Sequence, residues 1–262
     1  MNNENMYDQF SQYYDRFMNW EARLAYEMPF LVKEINTVQS KANQPIKVLD
    51  TACGTGQHAI ALSKLGYEVS AADFSTEMVA ITKKNAELAK SDLDVKKVEF
   101  GELSNSFIEA QFDVVLCLGN SLPHVLNEDG LAQTLNDFRE IIKPGGKLII
   151  QNRNFDKIMS KNDRWMSPQT YKDEEYTNIF IRFYDFDPDG RLTFNLIVLV
   201  SQDGENFQQQ VISTRLWPME KDTLVNYVQN SGFKEIRLFG DLSGNEYATE
   251  ESKNLVITAI ST

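Results

Sequence analysis

A few residue types, at a telling spacing, could do chemistry near the start of the chain. Lys47-Val48-Leu49-Asp50-Thr51-Ala52-Cys53-Gly54-Thr55-Gly56 runs from an apolar segment into an acid and then a glycine-rich turn. Gly54 and Gly56 can take positive φ and let a ligand approach the backbone. The apolar residues that follow predict a helix whose first N–H groups face that ligand. A second apolar run ends in another acid, Asp73, one strand–helix–strand unit further on. An acid about 20 residues beyond such a turn reaches the hydroxyls of a ribose. The pattern therefore points to an adenosine-type nucleoside.

Two cofactors compete for it. Gly54-Thr55-Gly56-Gln57-His58-Ala59 also fits the G-x-G-x-x-A turn that holds a pyrophosphate. Asp50, at the tip of the same strand, would repel a pyrophosphate and attract a cation. S-adenosylmethionine has no phosphate and carries an ammonium and a sulfonium, so Asp50 favours it, with S-adenosylhomocysteine as the product. Phe74 follows Asp73, placed to pack on an adenine. Glu102, just past a strand expected at 95–100, could accept the adenine amino hydrogens. Arg16 and Arg23 are the only arginines before the glycine turn, and Arg23 is the candidate partner for the cofactor carboxylate.

These residues need elements to hold them. Strands are expected at 46–49, 67–73, 95–100, 112–118 and 147–151, with helices between them. Gly66 suits a helix C-terminus and Ser75 suits an N-cap. Phe112-Asp113-Val114-Val115-Leu116-Cys117-Leu118 reads as a strand buried on both faces, as in the middle of a parallel sheet. Alternation of strands and helices implies a doubly wound, mostly parallel sheet of seven strands. Its ligands sit at the carboxyl ends of the strands. Ahead of it, aromatic and apolar residues recur at helical steps over 6–36. That segment is either a cap on the sheet or a lid over the cofactor bearing Tyr13, Tyr14, Trp20 and Arg23. A linker is expected at 41–45. Residues 157–175 read as polar and irregular. Runs at 177–187, 191–201 and 207–217, joined by Asp187-Pro188-Asp189-Gly190 and Gln202-Asp203-Gly204-Glu205, predict an inserted antiparallel meander. A helix at 220–229 and strands at 233–239 and 255–260 complete the sheet. The organisation is thus an N-terminal helical lid (1–44), a Rossmann-like core (45–156), an inserted meander lid (157–217) and a C-terminal completion (218–262).

The motif Asp50-Thr51-Ala52-Cys53-Gly54-Thr55-Gly56 resembles the first motif of class I S-adenosylmethionine-dependent methyltransferases. Cys117-Leu118-Gly119-Asn120-Ser121-Leu122-Pro123-His124 and Pro144-Gly145-Gly146, leading to Asn152-Arg153-Asn154-Phe155-Asp156, bring it nearer to the glycine and sarcosine N-methyltransferases. The resemblance spans roughly residues 47 to 158. It implies that Ala52, Asp73, Leu118 and His124 contact the cofactor, with Asn120 and Arg153 on the carboxylate of a small amino-acid acceptor. A guanidinium fork suits that carboxylate. The reaction it implies is methyl transfer to an amine, helped at the proton by His124 or by Tyr14. The chain departs from the family at Glu102-Leu103, which stands where an amide and an adenine-packing aromatic are found, and at Asn152, which replaces a histidine.

Composition narrows the alternatives. The 262 residues carry a net charge of −12, which argues against nucleic-acid partners. Lys83-Lys84, Lys90 and Lys96-Lys97 fit a solvated helix face better than a nucleic-acid patch. There is no apolar run of membrane-spanning length, and the acidic, polar N-terminus lacks the features of a signal peptide. Cys53 and Cys117 are the only cysteines and read as buried thiols of a cytoplasmic protein. Two histidines without ligand spacing suggest no metal site. The expected partner is a small-molecule methyl acceptor; oligomeric state is left open. Other acceptors (a sugar, a lipid precursor or RNA), a nicotinamide-dependent oxidoreductase and a noncatalytic binding protein remain as alternatives.

Overall fold

The computed structural model describes residues 3–39, 44–108 and 111–262. Most of the linker expected at 41–45 lies outside the described residues. The central sheet contains β1 (Lys47–Asp50), β2 (Glu68–Asp73), β3 (Asp94–Lys97), β4 (Phe112–Cys117), β5 (Ile142–Arg153), β10 (Phe233–Phe239) and β11 (Asn254–Ser261). Its order is β10-β11-β5-β4-β1-β2-β3. β1, β2, β3, β4 and β5 run parallel, and β11 is antiparallel to both of its neighbours.

Every residue of β4 is buried, as a strand covered on both faces requires. Alternation along β5 sorts the two cores. Leu148 and Ile150 face α6 (Glu128–Ile141) and α8 (Lys221–Asn230), where Leu131, Leu135, Phe138, Leu224 and Val228 close the layer. Ile149 faces the other way, towards α2 (Trp20–Ile35) and α3 (Gln57–Lys64). Lys147 shares that second face and is buried, its Nζ donating to Glu34 at 2.7 Å. α4 (Thr76–Ala89) is capped by Ser75, which accepts from the Met78 N–H. Cys53 and Cys117 are buried and free.

The N-terminal segment is two helices, not one. α1 (Asn3–Phe17) stops before Asn19, whose side chain accepts from the Ala22 N–H and starts α2. The 157–175 stretch is more ordered than its polarity suggests. It contains the end of α7 (Phe155–Lys161) and an edge strand, β6 (Gln169–Lys172). Asp173 accepts from the Glu175 and Tyr176 N–H groups and so turns β6 onto β7 (Thr177–Phe186). With β8 (Leu192–Ser201) and β9 (Gln208–Leu216) they form a separate antiparallel sheet in sequential order. One face of that sheet packs on α1 through Phe180, Leu196, Val198 and Ile212 against Phe10, and on α7 through Tyr184, Leu192 and Leu216 against Phe155. α1 is thereby held between the meander and the carboxyl edge of the main sheet. No described helix is long and apolar enough to cross a membrane.

Candidate functional site

The glycine turn is fixed from below by α4. Thr82 Oγ1 donates to the Gly54 carbonyl at 2.7 Å, and Asn85 Nδ2 donates to the Thr55 carbonyl at 2.9 Å. Gly56 sits at φ 82°, and a Cβ there would lie 2.6 Å from Thr82 Cγ2. The turn therefore needs glycine for both conformation and space.

Asp50 and Asp73 end their strands on either side of this turn, and both are buried. Asp73 accepts from the Gly54 N–H at 2.9 Å with one oxygen and from the Ser75 N–H at 3.0 Å with the other. Burial pushes its carboxyl up to about 6, against the pull of those hydrogen bonds. Burial also raises Asp50, offset in part by the fields of His58 and Arg23. A cavity opens over the two acids, lined from below by Thr51, Ala52, Cys53 and Gly54.

The roof comes from the N-terminal helices. Tyr7 and Tyr14 of α1 and Trp20 and Arg23 of α2 line the cavity. Asp15 fastens α1 to the turn by accepting from Thr55 Oγ1 and Trp20 Nε1, each at 2.7 Å. Arg23 lies over the Trp20 ring and pairs with Glu27 at 3.0 Å. Glu27 also meets His58 Nε2 at 2.7 Å. Sequence reasoning missed Glu27 and His58. They meet, with His58 on the cavity wall and Glu27 behind it, only because α2 crosses the start of α3, a contact that no spacing in the sequence announces.

Phe74 lines the opposite side, its ring edge-on to Tyr7 with centroids 5.5 Å apart. Glu102 and Leu103 are not there. β3 ends at Lys97, three residues earlier than expected, so Val98, Glu99 and Phe100 line the cavity instead. Gly101, at φ 88°, turns the chain away. Glu102 is exposed and accepts from Asn105 Nδ2, while Leu103 is fully buried in the core with its N–H on Asp137.

The loop after β4 supplies Leu118, Gly119, Ser121 and His124 to the cavity. Asn120 is not among its lining residues. It takes φ 65°, and its Oδ1 accepts from the Arg153 N–H at 2.8 Å, joining the loop to the end of β5. Arg153 follows on that strand, with its Nε buried and without a hydrogen-bond partner. His124 Nε2 lies 2.7 Å from the Tyr7 hydroxyl, and Nδ1 lies 3.5 Å from Thr214 Oγ1 of β9. Burial drives His124 down to about 4, so the ring is neutral at ordinary pH. Burial, with Tyr14 and Asp73 nearby, raises Tyr7 far above the usual phenol range. Burial raises Tyr14 too, despite the pull of Arg23. Neither tyrosine is a phenolate near neutrality. The site can bind a nucleoside and a cationic group, and it can align a second molecule beside His124. Among the described residues it has no strong base there.

Residues 48–146 match the family described as methyltransferase domain. The chain is 30% identical over 233 residues to the glycine/sarcosine N-methyltransferase of Aphanothece halophytica, covering 88% of this chain and 81% of that protein. It is 29% identical over 238 residues to the enzyme of the same description from Halorhodospira halochloris, covering 91% and 82%. Its fold is similar to that of an S-adenosylmethionine-dependent methyltransferase from Clostridium acetobutylicum, at a TM-score of 0.77 and 17% identity, over 97% of this chain and 98% of the other.

Proposed function

Because the chain belongs to the family of the glycine/sarcosine N-methyltransferases, within the S-adenosylmethionine-dependent methyltransferases, we propose that its acceptor is the amine of a small carboxylate-bearing molecule. The observation that carries this is Arg153, which ends β5 with a buried, unpartnered Nε beside the loop that lines the cavity.

The residues present fit the methyl donor. Asp73 keeps lone pairs for the ribose hydroxyls after accepting from Gly54 and Ser75. Asp50 is a buried acid that forms no salt bridge among the described residues, and a cationic ligand answers it. A pyrophosphate in its place would meet that carboxylate head-on. Phe74 is placed to cover the adenine, and Glu99 can accept its amino hydrogens. Arg23 is held by Glu27 at the end where the donor's carboxylate would lie. Bound there, S-adenosylmethionine supplies an electrophilic methyl group on a sulfonium.

The chain's own part is alignment and exclusion of water. Such positioning can supply about 7–11 kcal/mol of the barrier. Arg153 holds the acceptor carboxylate, and the neutral His124, braced by Tyr7, faces the amine. His124 is too weak a base to take a proton from an ammonium, so the acceptor must enter as the free amine. Tyr14, beside Gly54, closes the roof.

Two measurements test this. S-adenosylhomocysteine at one hundred times its Kd is expected to stabilise the protein by about 2.7 kcal/mol, while NAD leaves the melting temperature unchanged. Release of S-adenosylhomocysteine is then followed over amino acids, amino sugars and simple amines. Turnover confined to acceptors without a carboxylate would refute the assignment of Arg153.

A pH dependence follows from Asp73. The ribose hydroxyls need its ionised form, and its carboxyl titrates at about 6 in the free protein. Affinity for S-adenosylhomocysteine is expected to be flat above about pH 7 and roughly tenfold lower at pH 5. Folding of the free chain responds with the opposite sign. A carboxyl raised above its unfolded value favours the fold more as pH falls from about 6 towards 4. Calorimetric titration at several pH values checks the first effect. An affinity that does not change between pH 5 and 8 would exclude Asp73 as the ribose acid.

A further inference from the structure

β7 meets the chain just past Arg153, where Tyr184 packs with Phe155, and a second guanidinium on that strand, Arg182, lies within the field of Arg153. β7 alternates, and Asn178, Phe180 and Tyr184 are buried on the face it turns inward. Arg182 falls on that same face by the period of two. Tyr184 pairs across to Phe194, and Phe194 to Thr214, whose Oγ1 is the atom 3.5 Å from His124. The face that carries Arg182 is therefore the face that meets the catalytic loop. Its guanidinium lies over the Phe17 ring, 4.7 Å from the centroid, so α1 closes one side. Burial first, and then the Arg153 charge, push Arg182 down to about 10, leaving it still charged near neutrality. Tyr184 feels the fields of both guanidiniums.

Among the described residues, none forms an ion pair with either arginine. The Nε of each is buried and without a hydrogen-bond partner. Two cations beside one another in a partly desolvated place repel each other, and no described residue forms an ion pair with either. Asp163, whose field also reaches Tyr184, is exposed and forms no ion pair among the described residues, and two other acids are otherwise placed. Asp185 lies on the opposite face of β7 and is held by Arg164 and Asn195. Asp156 accepts from the Lys221 N–H and the Tyr247 hydroxyl. One guanidinium is enough for one carboxylate, which it can grip with two parallel hydrogen bonds. Two unpaired ones call for two negative charges.

We infer that the acceptor carries two anionic charges, with Arg153 on one and Arg182 on the other. This rests on the carboxylate-bearing amine proposed above. The chemical class is a carboxylate-bearing amine with a second anionic group, either a second carboxylate or a phosphate. Arg182 makes the choice between such a molecule and a simple amino acid.

The test begins without turnover. The protein saturated with S-adenosylhomocysteine is melted with acetate, malonate or inorganic phosphate at matched ionic strength. Malonate or phosphate should raise the melting temperature at concentrations where acetate has little effect, and Arg182→Gln should erase that difference while leaving the Kd for S-adenosylhomocysteine unchanged. Arg182→Lys should restore part of it and guards against a folding defect. In kinetics, aspartate and glutamate against phosphoserine separate the two sources of the second charge, with glycine as the singly charged control. The favoured dianionic amine should exceed glycine at least tenfold in kcat/KM. Arg182→Gln should raise its KM at least tenfold and leave the KM for glycine within about twofold. Equal effects of acetate and malonate, or an Arg182→Gln enzyme that weakens all acceptors alike, would overturn the inference. If malonate discrimination through Arg182 persists but no carboxylate-bearing amine is methylated, the amine assignment fails and the dianion site stands. If glycine is methylated and Arg182→Gln changes nothing, only the dianion site fails.

Discussion

Replacing Asp73 with alanine is expected to raise the Kd for S-adenosylhomocysteine by roughly ten- to a hundredfold. The carboxylate is the one group at the end of β2 that could accept from ribose hydroxyls, and losing hydrogen bonds to a charged group costs about 1.5–3 kcal/mol. Stability should move much less. The change orphans the Gly54 and Ser75 N–H groups, which Asp73 now satisfies at 2.9 and 3.0 Å. It also removes an acid whose ionised form burial disfavours. These contributions oppose each other, and each is of the order of 1–2 kcal/mol. Asp73→Asn keeps the shape and one acceptor oxygen, so its loss of affinity should be smaller. Calorimetric titration of each variant, with circular dichroism and a melting curve as controls, measures both effects. Native affinity in a folded Asp73→Ala protein would take this residue out of the cofactor site.

How much of this was legible depended on how local each feature is. The turn at Gly54 and Gly56 and the acids Asp50 and Asp73 could be placed because strand, turn and helix follow one another within a few residues. The end of β3 could not. Val98 and Phe100 extend an apolar run, and only the structure shows that Val98 already packs in the core after the strand has stopped at Lys97. That slip of three residues moved the adenine-side assignment from Glu99 and Phe100 to Glu102 and Leu103. Asn120 shows a different limit. Its residue type was informative, but its left-handed backbone turns Oδ1 onto the Arg153 N–H instead of into the cavity. β6 is an edge strand, needs no apolar pattern, and reads as polar loop. The Arg23–Glu27–His58 chain joins elements far apart in sequence, and Arg182 acquires its meaning only once Tyr184 of β7 is packed with Phe155, just past the end of β5.

Arg153→Ala should have the largest kinetic effect and should reveal its role by what it spares. In the proposed complex the guanidinium is paired with a desolvated acceptor carboxylate. Truncating one partner of such a pair costs about 2–5 kcal/mol, so kcat/KM for the acceptor should fall by at least about thirtyfold. The Kd for S-adenosylhomocysteine should stay within about twofold, since Arg153 is not among the residues lining the cofactor cavity. Arg153→Lys keeps the charge and loses the planar fork, so it should raise the acceptor KM with a smaller loss overall. A structural role makes the contrary demand. An arginine that holds the fold through an ion pair lowers the melting temperature when it is removed. Here Asp156, the neighbouring acid in sequence, already accepts from Lys221 and Tyr247, and Arg182 stands close enough to be repelled. Removing Arg153 relieves that repulsion and forfeits only the packing of its methylene stem, about 1 kcal/mol. The melting temperature of the free enzyme should therefore change by no more than a few degrees while turnover collapses. A marked drop in melting temperature with unaltered acceptor kinetics would make Arg153 a structural residue and reopen the identity of the acceptor, leaving methyl transfer itself untouched.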